Sequence, residues 1–396
     1  LSNSGATTTF SGTYTEAGGV IAVSGGLFNV NAALSSASLN LSGGTLAGTG
    51  SVTVSTLNLS GGGLSGTGDL TVTDNFTQTG GTVGRFYQNL SLTHVGDFGV
   101  GNYSAVNSLK LVASDGSLLI NDVSLVAPSV SLSGANVFLK PTTTAGSFVD
   151  SPNLTVSTPG ALVLDGSNGP AKLQSAGTMG LSVGSVNVTA GAFAASIDPT
   201  SLNLTATGDI VLSGGSGNDA YALISGDNVS VRGANITLNG GAGSGSSAAI
   251  KAVTGNASVS ASSAVNMTAG AGANADAIIL APLGTLTITA ANCAECITLG
   301  ANPVGNGLSD QGLFGSTVVL NIPSSAPSSE AIQSVNSIYY ANSLAETGGQ
   351  ANTDYTQQPQ EKQEEKKDEK KADKDTAATG SSQNDAKQKP KLPVCI

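Results

Sequence analysis

The sequence predicts an all-β solenoid, a stack of short coils, and three observations predict it. Residues 39–56 (LNLSGGTLAGTGSVTVST) and 57–74 (LNLSGGGLSGTGDLTVTD) are nearly the same 18-residue unit repeated without a gap. Glycine pairs recur at Gly25-Gly26, Gly43-Gly44, Gly61-Gly62 and Gly80-Gly81, in steps of 18, 18 and 19 residues. Apolar residues alternate with Ser, Thr and Asn in segments such as SVTV and DLTVTD, the period of half-buried strands rather than of a helix. A strand-type unit this short cannot bury its apolar face alone and must stack on its neighbours.

The short period holds over residues 1–100, and longer coils follow over 101–322. A strand pair persists through SVSLSGANVFL (129–139), LTVSTPGALVLDG (154–166), LSVGSVNVTAG (181–191), LNLTATGDIVLSGG (202–215), VSVRGANITLNGG (229–241), ASVSASSAVNMTAG (257–270) and LTITAANCAECITLG (286–300). Aligning the second strand of each places Val137, Leu162, Val186, Ile210, Ile236, Val265 and Ile297 at one site, with steps of 25, 24, 24, 26, 29 and 32 residues. Strand lengths stay constant while the connections grow, so growth is expected in loops on one face. Residues 214–225, 240–252 and 269–281 are three versions of one such loop, each opening on a glycine-rich bend, and they are the expected binding surface. With coils ~4.8 Å apart, about 14–16 coils make a rod of roughly 70 Å.

Residues 323–350 are expected to cap the solenoid. Within EAIQSVNSIYYANSLA (330–345), Ile332, Val335, Ile338 and Tyr339 fall at helical spacing, which predicts a short amphipathic helix over the open strand edges. Residues 351–396 form a charged low-complexity tail, disordered by composition, that ends in KLPVCI.

Composition narrows the function. Gly contributes 53 of 396 residues and charged residues only 10%, yet the hydrophobic fraction is 39%, too high for a disordered chain. A net charge of −11 argues against nucleic acid, whose phosphates need a basic surface. No run of about 18 apolar residues offers a membrane-spanning helix. The chain opens at Leu1-Ser2-Asn3-Ser4, already in the style of repeat interior, and is expected to be the C-terminal part of a longer protein.

Motifs that could carry chemistry each have a plainer structural reading. Gly180-Leu181-Ser182-Val183-Gly184 matches the nucleophile elbow, but the one histidine, His94, lies far upstream and Ser182 falls on a coil strand. Residues 214–222 (GGSGNDAYA) fit the calcium nonapeptide G-G-x-G-x-D-x-U-x, which makes Asp219 a candidate calcium ligand; the equivalent loops lack the repeated Asp that calcium coordination needs, and an Asx turn is the alternative. Cys293 and Cys296 in NCAEC have no further Cys or His nearby to complete a zinc site, which leaves a local disulfide or two interior thiols. Twelve N-x-S/T triplets, among them Asn40, Asn58, Asn75, Asn187, Asn203, Asn235 and Asn266, arise from alternation itself and double as glycan acceptors. Arg85, Lys110, Lys140, Lys172, Arg232 and Lys251 are scattered, and Asp69, Asp165, Asp209 and Asp227 stand singly at turns, so no acid–base constellation of the glycosidase kind is expected. No cofactor is expected and no catalytic residue is assigned.

Units such as LNLSGGTLAGTGSVTVST, followed by SLNLTATGDIVLSGG and NVSVRGANITLNGG, resemble filamentous-haemagglutinin-type exoproteins of Gram-negative bacteria over roughly residues 10–320. That resemblance implies a right-handed parallel β-helix and two-partner secretion through a dedicated outer-membrane transporter. It also implies a non-enzymatic, secreted, cell-surface adhesin or structural stalk whose partners are host or cell-surface glycans or matrix proteins. Some of the family's high-molecular-weight adhesins are held in the transporter by a C-terminal cysteine pair. Here Cys395 stands alone, and with the charged tail it is the candidate C-terminal anchor. The alternatives are a β-helical stalk for a toxin or effector encoded outside this chain, and a solenoid carbohydrate-active enzyme.

Overall fold

Most described strands pair in parallel with the strand one coil before and the strand one coil after, with register shifts at the corners between sides. The computed structural model describes residues 1–84, 87–291, 296–300, 311–322, 332–340 and 355–356. Among them it is all-β, with 31 strands and no helix, and therefore no helix long and apolar enough to cross a membrane.

The coils have three sides. On the first side one ladder runs unbroken through Tyr14, Leu34, Val52, Leu70, Leu90, Leu109, Val130, Leu154, Met179, Leu202, Val229, Ala257, Leu286, Val318 and Ile338. From Leu34 to Val318 every member is at most 3% exposed. Those fifteen rungs, ~4.8 Å apart, make a stack of roughly 67 Å. The second side carries the ladder expected from the sequence alignment, residue for residue: Val137, Leu162, Val186, Ile210, Ile236, Val265 and Ile297. The duplicated unit stacks on itself with Leu39 on Leu57, Asn40 on Asn58 and Leu41 on Leu59. Outside, the Asn58 side chain donates to Asn40 Oδ1 at 2.7 Å, the start of a polar ladder.

The third side accounts for part of the drift in period, and the bend before it for the rest. In the short coils it shrinks from four paired residues at 27–30 to two or three, as in Thr45–Ala47, Gly63–Leu64 and Thr82–Val83. In the longer coils it is a full strand, as in Ser147–Asp150, Ala222–Gly226 and Ala248–Ala252. These strands stack Leu125, Val149, Leu173, Ile197, Ile224, Ile250, Ile279 and Leu313 into a buried column. Growth is therefore shared between strand and loop: the last four or five residues of each of the stretches 214–225, 240–252 and 269–281 are strand whose Ile packs inward, and the eight residues before them form the lengthened bend.

The corner before the third side shows why glycine recurs. In the short coils the second glycine of each pair has a left-handed backbone, with φ of 67°, 68°, 72° and 69° at Gly26, Gly44, Gly62 and Gly81. A Cβ on the first glycine would meet the carbonyl oxygen of the previous coil, at 2.5 Å for Gly43 and 2.4 Å for Gly61. One glycine thus supplies a conformation and the other supplies clearance. Elsewhere Asp and Asn bridge coils: Asp69 Oδ1 accepts from the Asn89 amide (3.2 Å) and side chain (2.9 Å), Asp209 Oδ1 accepts likewise from Asn235, and Asn256 Oδ1 accepts from the Thr285 amide at 2.8 Å. Of the acids that stand singly in the sequence, Asp69 and Asp209 are corner acceptors for the following coil, whereas Asp165 accepts locally from the Ser167 amide and hydroxyl.

Large rings gather where short coils give way to long ones. Phe76 stands edge-on to Phe98 (6.0 Å) and to Tyr103 (6.2 Å), and His94 lies 5.3 Å from Phe98. Identical aliphatic side chains cannot stack where the cross-section changes, and rings fill that space.

The expected helix at 330–345 is corrected for its described part. Ile332–Tyr340 is a strand, parallel to Gln311–Asn321, with Ile338 opposite Val318 and Tyr340 opposite Leu320. Its Ile, Val and Tyr suit an extended chain, and the open edge of the previous coil supplies the backbone partners that helical spacing cannot. Tyr355–Thr356 then pairs antiparallel with its end, at Tyr340 and Tyr339. The charged tail from 357 onward, including KLPVCI and Cys395, lies outside the described residues.

Candidate functional site

The longer coils carry a groove on the outer third side, at the place where that side first becomes a full ladder. Ser124–Val126 is its first strand, and the coil before it contributes only an isolated bridge from Ser104 to Val126. Strand alternation turns Leu125, Val149 and Leu173 inward and leaves two outward columns. One is Ser124, Phe148 and Lys172; the other is Val126, Asp150, Gln174 and Asp198.

Two half-open cavities lie along these columns. One, of about 200 Å³, is lined by Ser124, Val126, Phe148, Asp150, Lys172 and Gln174. The other, of about 250 Å³, is lined by Asn102, Tyr103, Ser104 and Ala105 and shares Ser124 and Val126 with the first. Each is smaller than a typical small-ligand cleft of roughly 300–1,000 Å³, and the two adjoin at Ser124 and Val126. Val126 is 46% exposed, Phe148 is half-buried, and Asp150 and Gln174 are exposed.

The charges are arranged unequally. Lys172 Nζ lies 3.1 Å from Asp198 Oδ2, and Asp198 Oδ1 also accepts from Ser225 Oγ at 2.7 Å. With side chains 31% and 41% exposed, this pair contributes about 0–1 kcal/mol to stability. At the other end, Tyr103 closes the wall. Its hydroxyl donates to Gln78 Oε1 at 2.7 Å, and burial pushes its pKa up to about 12, so it stays a neutral donor. Ser104 Oγ is buried with no hydrogen-bond partner among the described residues.

The residues singled out in the sequence lie elsewhere. Ser182 sits exposed in the strand Ala171–Ala190, paired between Ser157 and Thr205, with no elbow. His94 holds the Phe76 carbonyl oxygen at 2.7 Å, four rungs and about 19 Å along the axis from Ser182. Asp219 is exposed at a left-handed corner (φ 55°), and Gly245 (71°) and Asn274 (54°) take the same conformation in the two following corners. Asp, Gly and Asn are the residues that tolerate it, which accounts for the fit to the nonapeptide by backbone alone. These corners stack by main-chain bonds such as Gly243 N to Gly215 O (3.1 Å), and each closes on itself, as in Gly241 N to Ser246 O (2.7 Å). No group of three or more His, Cys, Asp or Glu suited to a metal occurs among the described residues. Cys296 is fully buried and disulfide-bonded; Cys293 lies outside the described residues. All twelve asparagines of the N-x-S/T triplets are at least partly exposed.

Sequence reasoning missed Phe148, Asp150 and Gln174 and read Lys172 as scattered. A signal existed in SFVD (147–150), AKLQ (171–174) and ASID (195–198), three alternating segments about 24 residues apart with polar or aromatic residues at the outward positions. Comparison of the chain with protein-family models, with curated proteins and with solved structures yields no match.

Proposed function

We propose that this chain is a rigid, non-enzymatic stalk with adhesive function on the surface of a Gram-negative bacterium, exported by two-partner secretion. The observation that carries the reading is the unbroken fifteen-rung ladder, with matching inward columns on the other sides. A stack of this kind spends its sequence on length and stiffness and displays side chains at fixed spacing along one axis. The coil hand is taken as right-handed, the hand of nearly all parallel strand–crossover–strand units. The anchor role of Cys395 and the dedicated outer-membrane transporter belong to the same reading.

Attachment tests it. Beads coated with the full chain are expected to bind host cells or a matrix-protein or glycan array above uncoated beads, with the ligand recovered intact. Equal retention of coated and bare beads, or release of reducing sugar from a bound glycan, would overturn the reading.

A further inference from the structure

We infer that the outer third side between Asn102 and Asp198 is a binding site for an uncharged oligosaccharide lying along the rod axis. The inference rests on the adhesive reading and gives it a place and a ligand class.

The two cavities share Ser124 and Val126 and follow the axis rather than cross it. From Val126 to Asp198 the outward column covers three rung spacings, about 14 Å, enough for a few sugar rings. A pyranose has an apolar C–H face and a rim of hydroxyls that both donate and accept. Val126 and the half-buried Phe148 offer an apolar platform for the face. For the rim, Asp150 accepts, and the Gln174 carboxamide both accepts and donates.

Charge selects against anionic sugars. Among the described residues, Lys172 is the one cation lining the groove, and it is engaged by Asp198, with no ion pair to the Asp150 carboxylate. Over residues 1–356 there are six basic residues against eighteen acidic ones, so the surroundings repel sulfate and carboxylate as well. The floor is the buried column of Leu125, Val149, Leu173 and Ile197, held in two ladders, so binding orders little that is not already ordered.

Calorimetric titration of the full chain tests this, with maltohexaose, cellohexaose and chitohexaose as uncharged probes and a heparin hexasaccharide as the anionic one. At least one uncharged probe is expected to saturate, with affinity falling tenfold or more in Phe148→Ala and in Asp150→Ala and surviving in Phe148→Tyr. Phe138→Ala, whose ring lies under Lys140 on the second side, is expected to bind like the parent. All four substitutions are at partly or fully exposed positions, so thermal melts followed by circular dichroism should coincide with the parent's. The inference is overturned if none of the three uncharged probes saturates, if the heparin probe binds more tightly than they do, or if Phe148→Ala and Asp150→Ala bind like the parent. In that last case saccharide binding itself persists and the adhesive reading stands. Loss of all glycan and cell attachment by the parent chain would instead remove both.

Discussion

The short coils and the longer coils share one inward pattern and differ at their corners and on their third side. In both, a first-side strand stacks Leu or Val on Leu or Val, as at Val52–Leu70 and at Leu202–Val229. From residue 45 to 83 the short coils turn on a glycine pair and give the third side two or three residues, enough for one inward side chain. The longer coils give it four or five, which adds a second inward position and sets outward residues beside each other in columns. A recess built from side chains therefore needs the longer coil. Length of one side, together with the bend before it, separates scaffold from surface.

The comparison breaks most severely if the third side of the longer coils is not part of the core. Ile224→Ala is expected to cost about 2–5 kcal/mol, as much as Leu57→Ala in a short coil, because both side chains are fully buried within stacked columns. Hydrogen exchange should confine each loss to the neighbouring coils, since a solenoid couples mainly to nearest neighbours. An Ile224→Ala protein with an unchanged urea midpoint would contradict the buried column.

A smaller effect sharpens the contrast between corners. Gly44→Ala combines a left-handed backbone with a Cβ 2.5 Å from the Gly26 carbonyl oxygen and is expected to cost about 1–3 kcal/mol. At Asp219, where φ is also positive but Asp is native, Asp219→Asn should stay within about 0.5 kcal/mol. Equal urea midpoints for the two variants would show that clearance and conformation do not separate the two corner types.

The smallest effect is local and pH-dependent. Asp122 lies at the first corner of the longer coils, where Thr142 and Thr143 donate both hydroxyls and both amides to its carboxylate. The Thr142 hydroxyl first, then the Thr143 and Thr142 amides and the Thr143 hydroxyl, hold its pKa below the usual carboxylate value. A depressed pKa stabilises the corner above the unfolded value of about 3.9, and that contribution fades as pH falls through the folded pKa. Exchange protection at residues 142–146 is therefore expected to hold at neutral pH and to weaken only below pH ~4. Asp122→Asn should abolish that step, and an identical acid profile for parent and variant would refute the assignment.

Much of this architecture was legible because a two-residue period and a conserved strand length leave little choice of register. Val137 through Ile297 could be aligned by eye, since shifting any strand by one residue would turn its apolar set outward. The glycine pairs announced their corners because few other residues fit a left-handed turn against a neighbouring backbone. The groove was legible only as three alternating segments, SFVD, AKLQ and ASID, and not as a recess. Val126, Phe148 and Gln174 are ordinary outward strand residues, and nothing in their spacing says that the coil before them stops at a single bridge. Ile332–Tyr340 misled for a related reason. Its Ile, Val and Tyr fall at intervals that fit a helix as well as a strand, and a short segment takes the form its neighbour offers.

By itself the sequence determined the solenoid, its first- and second-side ladders and its glycine corners, because those follow from alternation and local backbone sterics. Only the tertiary structure decided that some of the added residues form a buried third side, that Asp69 and Asp209 bridge coils, and that Lys172 meets Asp198 beside Phe148. These depend on which residues lie one coil apart, and once the period drifts from 18 to 32 that distance can be read only from the stacked chain.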